Sequence, residues 1–223
     1  MSYIKRFLRL YAGLFLYGAA IYMMIQANLG LSPWETLSAG LALLTGMSFG
    51  DMTVLSGLVI LIIDIYLKEP IGFGTFFNTI LIGKSVDLIA WFDPLPKLDS
   101  YALGIPLLLV SQVVAVFAIY LYISAGLGCG PRDSLMVGIG KRLSKTPIGI
   151  VRSGLEGTVL LVGWLLGAKV GLGTIVSVFG IGIIMEYFFR LLRFDVRAVE
   201  HETFADTIKI WRGGTKKPAE ELR

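Results

Sequence analysis

Four charged residues in the second half of the sequence have the types and spacing to bind a charged small molecule. Arg132 and Asp133 are adjacent, while Arg152 and Glu156 are four residues apart and share one face of a helix. A guanidinium offers a planar fork to an anion, and a carboxylate placed between desolvation and nearby cations can change its protonation. We therefore predict solute binding at Arg132 and Asp133, with proton coupling at Glu156 and Arg152.

Motifs for enzymatic chemistry are missing from the sequence. It contains no HExxH or CxxC pair, and its single cysteine, Cys129, excludes an intrachain disulfide. The stretch 126–130 is rich in glycine, but no Gly-Lys-Ser/Thr follows it, so a nucleotide-binding loop does not fit. His201 has no other histidine or cysteine near it. We therefore expect neither an enzyme nor a bound metal or cofactor.

The composition places these residues in a membrane. Of 223 residues, 55% are hydrophobic and 16% are charged, and the mean hydropathy is +0.76. One water-facing domain of this size cannot hide so much apolar surface, which excludes a soluble enzyme, a DNA-binding domain and a disordered protein. Six apolar stretches approach the ~20 residues that cross a bilayer: 7–28, 52–67, 71–92, 101–125, 149–168 and 172–192.

Two shorter apolar segments, 33–45 and 131–143, interrupt this series, and the sequence repeats itself around them. Residues 27–37 align with residues 98 positions later, and the Gly-x-Gly-Thr string that begins at Gly72 recurs 99 positions later at Gly171. Each short segment would form a helix of about 20 Å, less than the ~30 Å bilayer core. The sequence therefore predicts an all-α transmembrane bundle of two repeats, each with three spans and one half-helix.

The starts of the two half-helices form the predicted binding site. Half-helices at corresponding positions of two repeats aim their amide-rich N-termini at a central site in transporters. We therefore add to Arg132 and Asp133 the other residues around these starts: Asn28, Ser32, Trp34, Glu35 and Ser134. Ser32 and Glu35 also fit a capping box, so a purely structural role stays open for Glu35, as it does for Asp133.

Alternatives stay open for the charged residues as well. Arg132 opposes the positive end of its helix dipole, so it must meet an anionic ligand, pair with Asp133 or Glu156, or extend to the lipid headgroups. Two cations and two acids balance in this half, so a structural ion network competes with a proton-titrating site. In the first half, Asp64 lies four residues before Lys68, a spacing typical of a helical ion pair.

The distribution of charge orients the chain. The start, the segment 141–145 and the region from Arg190 onward are basic, whereas the loop 93–100 is acidic. Three crossings per repeat place both termini in the cytoplasm and invert the second repeat, whereas crossing half-helices would make the repeats parallel. We assign residues 1–194 to the transmembrane domain, with repeats at 7–92 and 101–192. Residues 195–223 form a cytoplasmic tail, with a short amphipathic helix at the lipid surface over 204–211 and disorder from residue 213.

The string Gly128-Cys129-Gly130-Pro131-Arg132-Asp133-Ser134-Leu135-Met136 resembles the Gly-Pro-Arg-Asp motif of the YczE/YyaS/YitT family of bacterial integral membrane proteins. Arg152, Glu156 and the glycine-rich stretches 163–167 and 171–174 fit the same pattern in order. One departure is Gly182-Ile183, where the family pattern has Gly-Pro. The resemblance implies a bacterial plasma-membrane protein and supplies no substrate.

The leading hypothesis from the sequence is a secondary transporter for a small anionic or zwitterionic solute, with proton coupling. The alternatives are a membrane partner that regulates another protein, and a channel-like pore. We expect a small solute and the lipid bilayer as partners, with a second copy of the chain or another membrane protein as an open alternative. We expect no nucleic acid, because basic clusters beside apolar spans mark cytoplasmic loops.

Overall fold

The computed structural model describes residues 2–143, 145–196, 199 and 201–211, and this part of the chain contains helices and no strand. The helices are α1 (Tyr3–Ala27), α2 (Pro33–Thr45), α3 (Phe49–Tyr66), α4 (Phe73–Phe92), α5 (Tyr101–Ser124), α6 (Pro131–Arg142), α7 (Ile148–Leu165), α8 (Leu172–Leu191) and α9 (Phe204–Trp211). The predicted all-α transmembrane bundle is confirmed.

Six of these helices are long and apolar enough to cross a membrane: α1, α3, α4, α5, α7 and α8. They contain 18 to 25 residues, which corresponds to about 27–37 Å of helix. The two short helices, α2 and α6, contain 13 and 12 residues. Both begin at a proline, which is favoured in the first turn because its missing amide would have no helical partner there.

The centre of the bundle is an antiparallel pair formed by α1 and α5. At one end, Arg6 Nε donates to the carbonyl oxygen of Ala125 at 2.7 Å. Near the other end, a Cβ on Gly104 would lie 2.9 Å from the carbonyl oxygen of Ala27. Glycines such as these allow helix backbones to approach closely in the membrane. Apolar side chains fill the space between the ends: Leu10, Leu14, Val116 and Ile119.

The packing of the first four helices is largely repeated by the next four. The pairs α1–α4, α2–α3 and α2–α7 recur as α5–α8, α6–α7 and α6–α3. One pair breaks this correspondence: α3 packs along α4, whereas α7 and α8 lie apart over most of their length. The two halves of the bundle therefore share one plan and differ in one helix interface.

The tail folds back onto the bundle. Glu202 accepts hydrogen bonds from Arg6 Nη1 at 2.5 Å and from Tyr3 Oη at 3.0 Å. The rings of Phe204 and Phe73 are 4.4 Å apart, centre to centre. The helix over 204–211 has the predicted bounds, and its aromatic residues pack on α1 and α4. Its position at the lipid surface stays a prediction. The predicted disorder from residue 213 lies outside the described residues.

Candidate functional site

A cavity of about 420 Å³ lies where the first turns of α2 and α6 meet. This volume is in the range that holds small-molecule ligands. Each of the eight helices α1–α8 contributes to its wall. Seven of the residues predicted for the site line it: Ser32, Trp34, Glu35, Arg132, Asp133, Arg152 and Glu156.

Two matching loops bring the short helices to the cavity. The amide of Gly173 donates to the carbonyl oxygen of Leu29 at 2.7 Å, and the amide of Gly74 donates to that of Leu127 at 2.6 Å. The next residue in each loop is a glycine with a positive φ, 112° at Gly30 and 124° at Gly128. Only glycine adopts this backbone without strain. The repeated glycine strings therefore join each loop to the opposite half of the chain.

An ion pair links the two short helices across the cavity. Arg132 Nη1 lies 2.8 Å from Glu35 Oε1, and the guanidinium carbon lies 5.2 Å from the centre of the Trp34 ring. Ser32 makes no side-chain capping bond, so the predicted capping box does not form, and Glu35 instead accepts a hydrogen bond from Arg132. Arg132 has its ionic partner in Glu35, on the other half-helix, and not in Asp133 or Glu156. This contact joins the two halves of the chain at the wall of the cavity.

A second ion pair lies on the wall formed by α7. Arg152 Nε is 2.8 Å from Glu156 Oε1, as their i,i+4 spacing predicts. The Arg152 side chain is 58% exposed and that of Glu156 is 24% exposed. Because both residues line the cavity, this exposure includes its interior. The pair is therefore accessible to a solute that enters the cavity.

Asp133 is the carboxylate of the cavity that lacks a bonded cation. It is exposed, and within the described chain its oxygens make neither a hydrogen bond nor an ion pair of the kinds that hold Glu35 and Glu156. The amide of Asn78 lies nearby, since a Cβ on Gly130 would be 3.5 Å from Asp133 Oδ2 and 3.9 Å from Asn78 Oδ1. Asn78 Nδ2 lies nearer this point, at 3.7 Å, so a carboxylate and an amide group that can both donate and accept line the cavity beside the start of α6.

Two of the predicted site residues lie outside the cavity. Asn28 directly follows the C-terminal end of α1. It donates a hydrogen bond to the carbonyl oxygen of Leu98 at 3.0 Å and accepts one from Lys169 Nζ at 2.9 Å. Ser134 is buried and its hydroxyl lies 3.0 Å from Cys129 Sγ. Asn28 thus closes a loop, and Ser134 packs behind the cavity wall.

Sequence reasoning missed several residues that line the cavity from distant helices. Tyr17 and Tyr122 face each other at 6.5 Å between ring centres, and Asn78 and Ser177 add polar groups from α4 and α8. His201 of the tail also reaches the cavity wall. The signal for Asn78 and Ser177 is their polarity within apolar spans, which favours an interior position. The tyrosines carry no comparable signal.

The fold and the cavity define a multi-pass membrane protein whose helical bundle encloses a cavity with charged and apolar residues in its wall. A sequence model described as "Family of unknown function (DUF6198)" matches residues 4–190, and the chain belongs to this family. The resemblance to YczE and YyaS is thereby confirmed.

Relatives from two bacteria support this assignment. The chain is 34% identical over 174 residues to an uncharacterized protein of Haemophilus influenzae, covering 76% of this chain and 77% of that protein. It is 30% identical over 179 residues to the uncharacterized membrane protein YczE of Bacillus subtilis, covering 79% and 82% of the two chains. The uncharacterized protein YyaS of Bacillus subtilis is 25% identical over 190 residues, or 81% and 90% of the chains. No solved structure matches the chain.

Proposed function

We propose that this membrane protein is a secondary transporter that moves a small zwitterionic solute by alternating access. The observation that carries the proposal is the difference between two corresponding helix pairs, since α3 and α4 are closed against each other while α7 and α8 are apart. In a transporter built from two repeats, exchanging these arrangements would move the opening of the central cavity to the other side of the membrane.

Close contact between two glycines joins α3 to α4. A Cβ on Gly83 would collide with the carbonyl oxygen of Gly50 and lie 3.0 Å from Val54 Cγ2. Asp87 strengthens this contact, because it accepts hydrogen bonds from the Gly50 amide at 2.8 Å and from Ser48 Oγ at 2.5 Å. Small residues of this kind bring transmembrane helices into van der Waals contact.

The corresponding glycines of the second half face open space. Gly149 and Gly182 lie 99 positions after Gly50 and Gly83, and no atom of a packing neighbour comes within 4 Å of a Cβ added at either. Glu186, the counterpart of Asp87, pairs with Arg190 of its own helix at 2.8 Å and is 71% exposed. These residues are therefore available for a contact between α7 and α8 like that between α3 and α4.

The antiparallel course of α1 and α5 supports inverted repeats, because these helices are the first spans of the two halves. The basic segments near the start of α1 and after α6 then favour cytoplasmic termini. In this orientation Gly149 lies at the cytoplasmic end of α7, so the gap between α7 and α8 faces the cytoplasm. We accordingly assign the structure to an inward-open state of a plasma-membrane protein.

The charges of the cavity favour a zwitterion among the anionic and zwitterionic solutes that the sequence predicts. Arg132 and Arg152 already have carboxylate partners, Glu35 and Glu156. The three carboxylates and two guanidiniums of the wall leave one negative charge, on Asp133. A solute ammonium group would neutralise it and donate hydrogen bonds to Asp133 and Asn78, while the solute's anionic group would meet the remaining guanidinium donors.

Counterflow into proteoliposomes tests the proposal. Vesicles loaded with one unlabelled zwitterion from a panel of amino acids and quaternary betaines are diluted into the same solute carrying a label. We expect exchange of at least one solute with a free ammonium group, because a quaternary nitrogen cannot donate to Asp133. Asp133→Asn should abolish this exchange, whereas Asp99→Asn, in the exposed outer loop, should keep it. Folded protein that exchanges no solute of the panel would favour a partner or regulator role instead.

Disulfide trapping tests the alternating arrangement without a solute. In a Cys129→Ser background, the test pair is Pro147→Cys with Glu186→Cys, at the start of α7 and on α8, because their counterparts Ser48 and Asp87 are hydrogen-bonded through their side chains at 2.5 Å. The reference pair is Gly57→Cys with Thr79→Cys, because a Cβ on Gly57 would lie 3.0 Å from Thr79 Cγ2. We expect rapid oxidation of the reference pair, and slow oxidation of the test pair that locks the cavity. A test pair that stays reduced under prolonged oxidation would contradict alternating access.

A further inference from the structure

Asp64 is a fully buried acidic side chain without a hydrogen-bond partner among the described residues. Its exposed fraction is 0%, and neither side-chain oxygen has a hydrogen-bond partner in the described part of the chain. An ionised carboxylate in such a place would lose its hydration without compensation, so the neutral acid is strongly favoured. Glu35 and Glu156, by contrast, each have an arginine within 2.8 Å.

The neighbouring charges do not compensate Asp64. Lys68 is exposed, and its φ of 60° shows that the helix has ended before it, so the predicted i,i+4 pair does not form. Glu69 is buried, and its two carboxylate oxygens accept hydrogen bonds from Lys141 Nζ at 2.9 and 2.8 Å. Lys141 is therefore paired with Glu69 and not with Asp64. The thiol of Cys129, in the loop before α6, is a titratable group close enough to interact with Asp64 and carries no positive charge. The remaining charged residues of the helices packed on α3 lie at its other end, around the cavity or on the last turn of α6: Lys84 and Asp87 on α4, Glu35 on α2, and Arg132, Asp133 and Arg142 on α6.

The position of Asp64 connects it with the cavity. It lies on the buried stripe of α3 that includes Thr53 and Gly57, which line the cavity, and it is about 10 Å along the helix from Gly57. One turn further on, α3 meets α6, since a Cβ on Gly138 would lie 2.9 Å from Leu67 Cδ1. α6 begins with Arg132 and Asp133. A shift of α3 would therefore change both the cavity and the burial of Asp64.

We propose that Asp64 binds the proton that is coupled to transport, an inference that rests on the proposed alternating access. In the structure described, Asp64 holds the proton as a neutral acid between α3 and its neighbours. When the rearrangement shifts α3 relative to its neighbours, water reaches the carboxyl group, its O–H bond breaks, and the proton passes to water while Asp64 becomes a carboxylate. The counterpart of Asp64 in the second repeat is Gly163, 99 positions later, so one proton is bound per cycle. This assigns to Asp64 the role that the sequence placed on Glu156.

Infrared spectroscopy of the purified full chain tests the protonation state without a substrate. We expect a carboxylic acid carbonyl band at neutral pH that shifts on labelling with carboxyl-13C aspartate and is lost in Asp64→Asn. Asp133→Asn is the matched control and should keep the band, because Asp133 faces the aqueous cavity. If Asp64→Asn does not fold, Asp64→Ser replaces it. A missing band, or a band lost in Asp133→Asn instead, would overturn the proposal.

The trapping pair on α7 and α8 then tests the coupling. Raising the pH removes the proton from Asp64 and should speed oxidation of Pro147→Cys with Glu186→Cys, after division by the rate of the reference pair on α3 and α4. In Asp64→Asn this ratio should not change with pH. If the test pair does oxidise in the chain that keeps Asp64, but the ratio of its rate to that of the reference pair is the same at every pH, the role of Asp64 is refuted. Alternating access would still stand. Absence of oxidation would refute alternating access itself, and the infrared result would still decide whether Asp64 is protonated.

Discussion

Replacement of Gly83 by alanine should shift the balance between the two arrangements of the bundle. In the structure described, the new methyl group would collide with the carbonyl oxygen of Gly50. That oxygen belongs to the backbone of α3 and cannot rotate away, so α3 and α4 must separate. Overpacking of this kind costs about 1–3 kcal/mol. The gain in helix propensity from glycine to alanine, about 1 kcal/mol, is common to both arrangements and cancels.

The expected shift in population follows from that cost. A penalty of about 1–3 kcal/mol on one state lowers its population relative to the other by about 5- to 150-fold. Gly182→Ala should act in the opposite direction, because no neighbour lies within 4 Å in the present arrangement and the methyl group would obstruct only the closure of α7 on α8. Gly18→Ala is the matched control, since its Cβ would lie 2.5 Å from Ser85 Cβ in the interface of α1 with α4.

Native Cys129 reports the shift, because it lines the cavity. The assay compares its rates of reaction with an impermeant thiol reagent in right-side-out and inverted vesicles. Gly83→Ala should raise the ratio of outer to inner reaction rate, and Gly182→Ala should lower this ratio. Gly18→Ala should reduce thermal stability and leave the ratio unchanged. Equal ratios in all three variants, or shifts of Gly83→Ala and Gly182→Ala in the same direction, would refute the assignment of these glycines to two alternating contacts.

Three further results are expected. A cysteine at Ser100, in a chain without the native thiol, should react with an impermeant reagent from outside intact cells; reaction only after opening of the cell would favour parallel repeats. Arg132→Lys should impair solute binding in a thermal-shift or uptake assay and leave folding nearly intact, because lysine keeps the charge opposite Glu35 but loses the planar fork; wild-type binding would show that charge alone suffices. Glu202→Ala should lower the unfolding free energy by about 2 kcal/mol in detergent, because Arg6 loses its carboxylate partner and keeps only the carbonyl oxygens of Ala125 and Gly126; an unchanged transition would show that this ion pair contributes nothing to stability.

The helices were predictable because their signals are local. α2 runs from Pro33 to Thr45 as predicted, since proline favours a first turn and Gly46, with a φ of 72°, ends the helix. α7 ends at Leu165, three residues before the predicted limit, because Gly167 turns the chain with a φ of 96°. Apolar composition alone does not register such a turn, so the predicted boundary was wrong there.

The site was less predictable, because its contacts join distant parts of the chain. Helical spacing predicts the pair of Arg152 and Glu156, but it carries no information on Glu35, which meets Arg132 from 97 residues away. Proximity to the motif favoured Asn28, yet the folded loop turns this residue toward Leu98. Contacts between residues on different helices depend on how the helices pack, and the spacing of residues within one helix does not predict that packing.

The docked tail also ties together the starts of two helices of the bundle. Glu202 is fastened to Arg6, and the amide of Phe204 donates to the carbonyl oxygen of Ile71 at 3.0 Å, so the tail clamps the ends of α1 and α4. A domain fused after the tail would therefore be held beside the starts of α1 and α4, whichever way the proposed exchange of helix pairs moves α8.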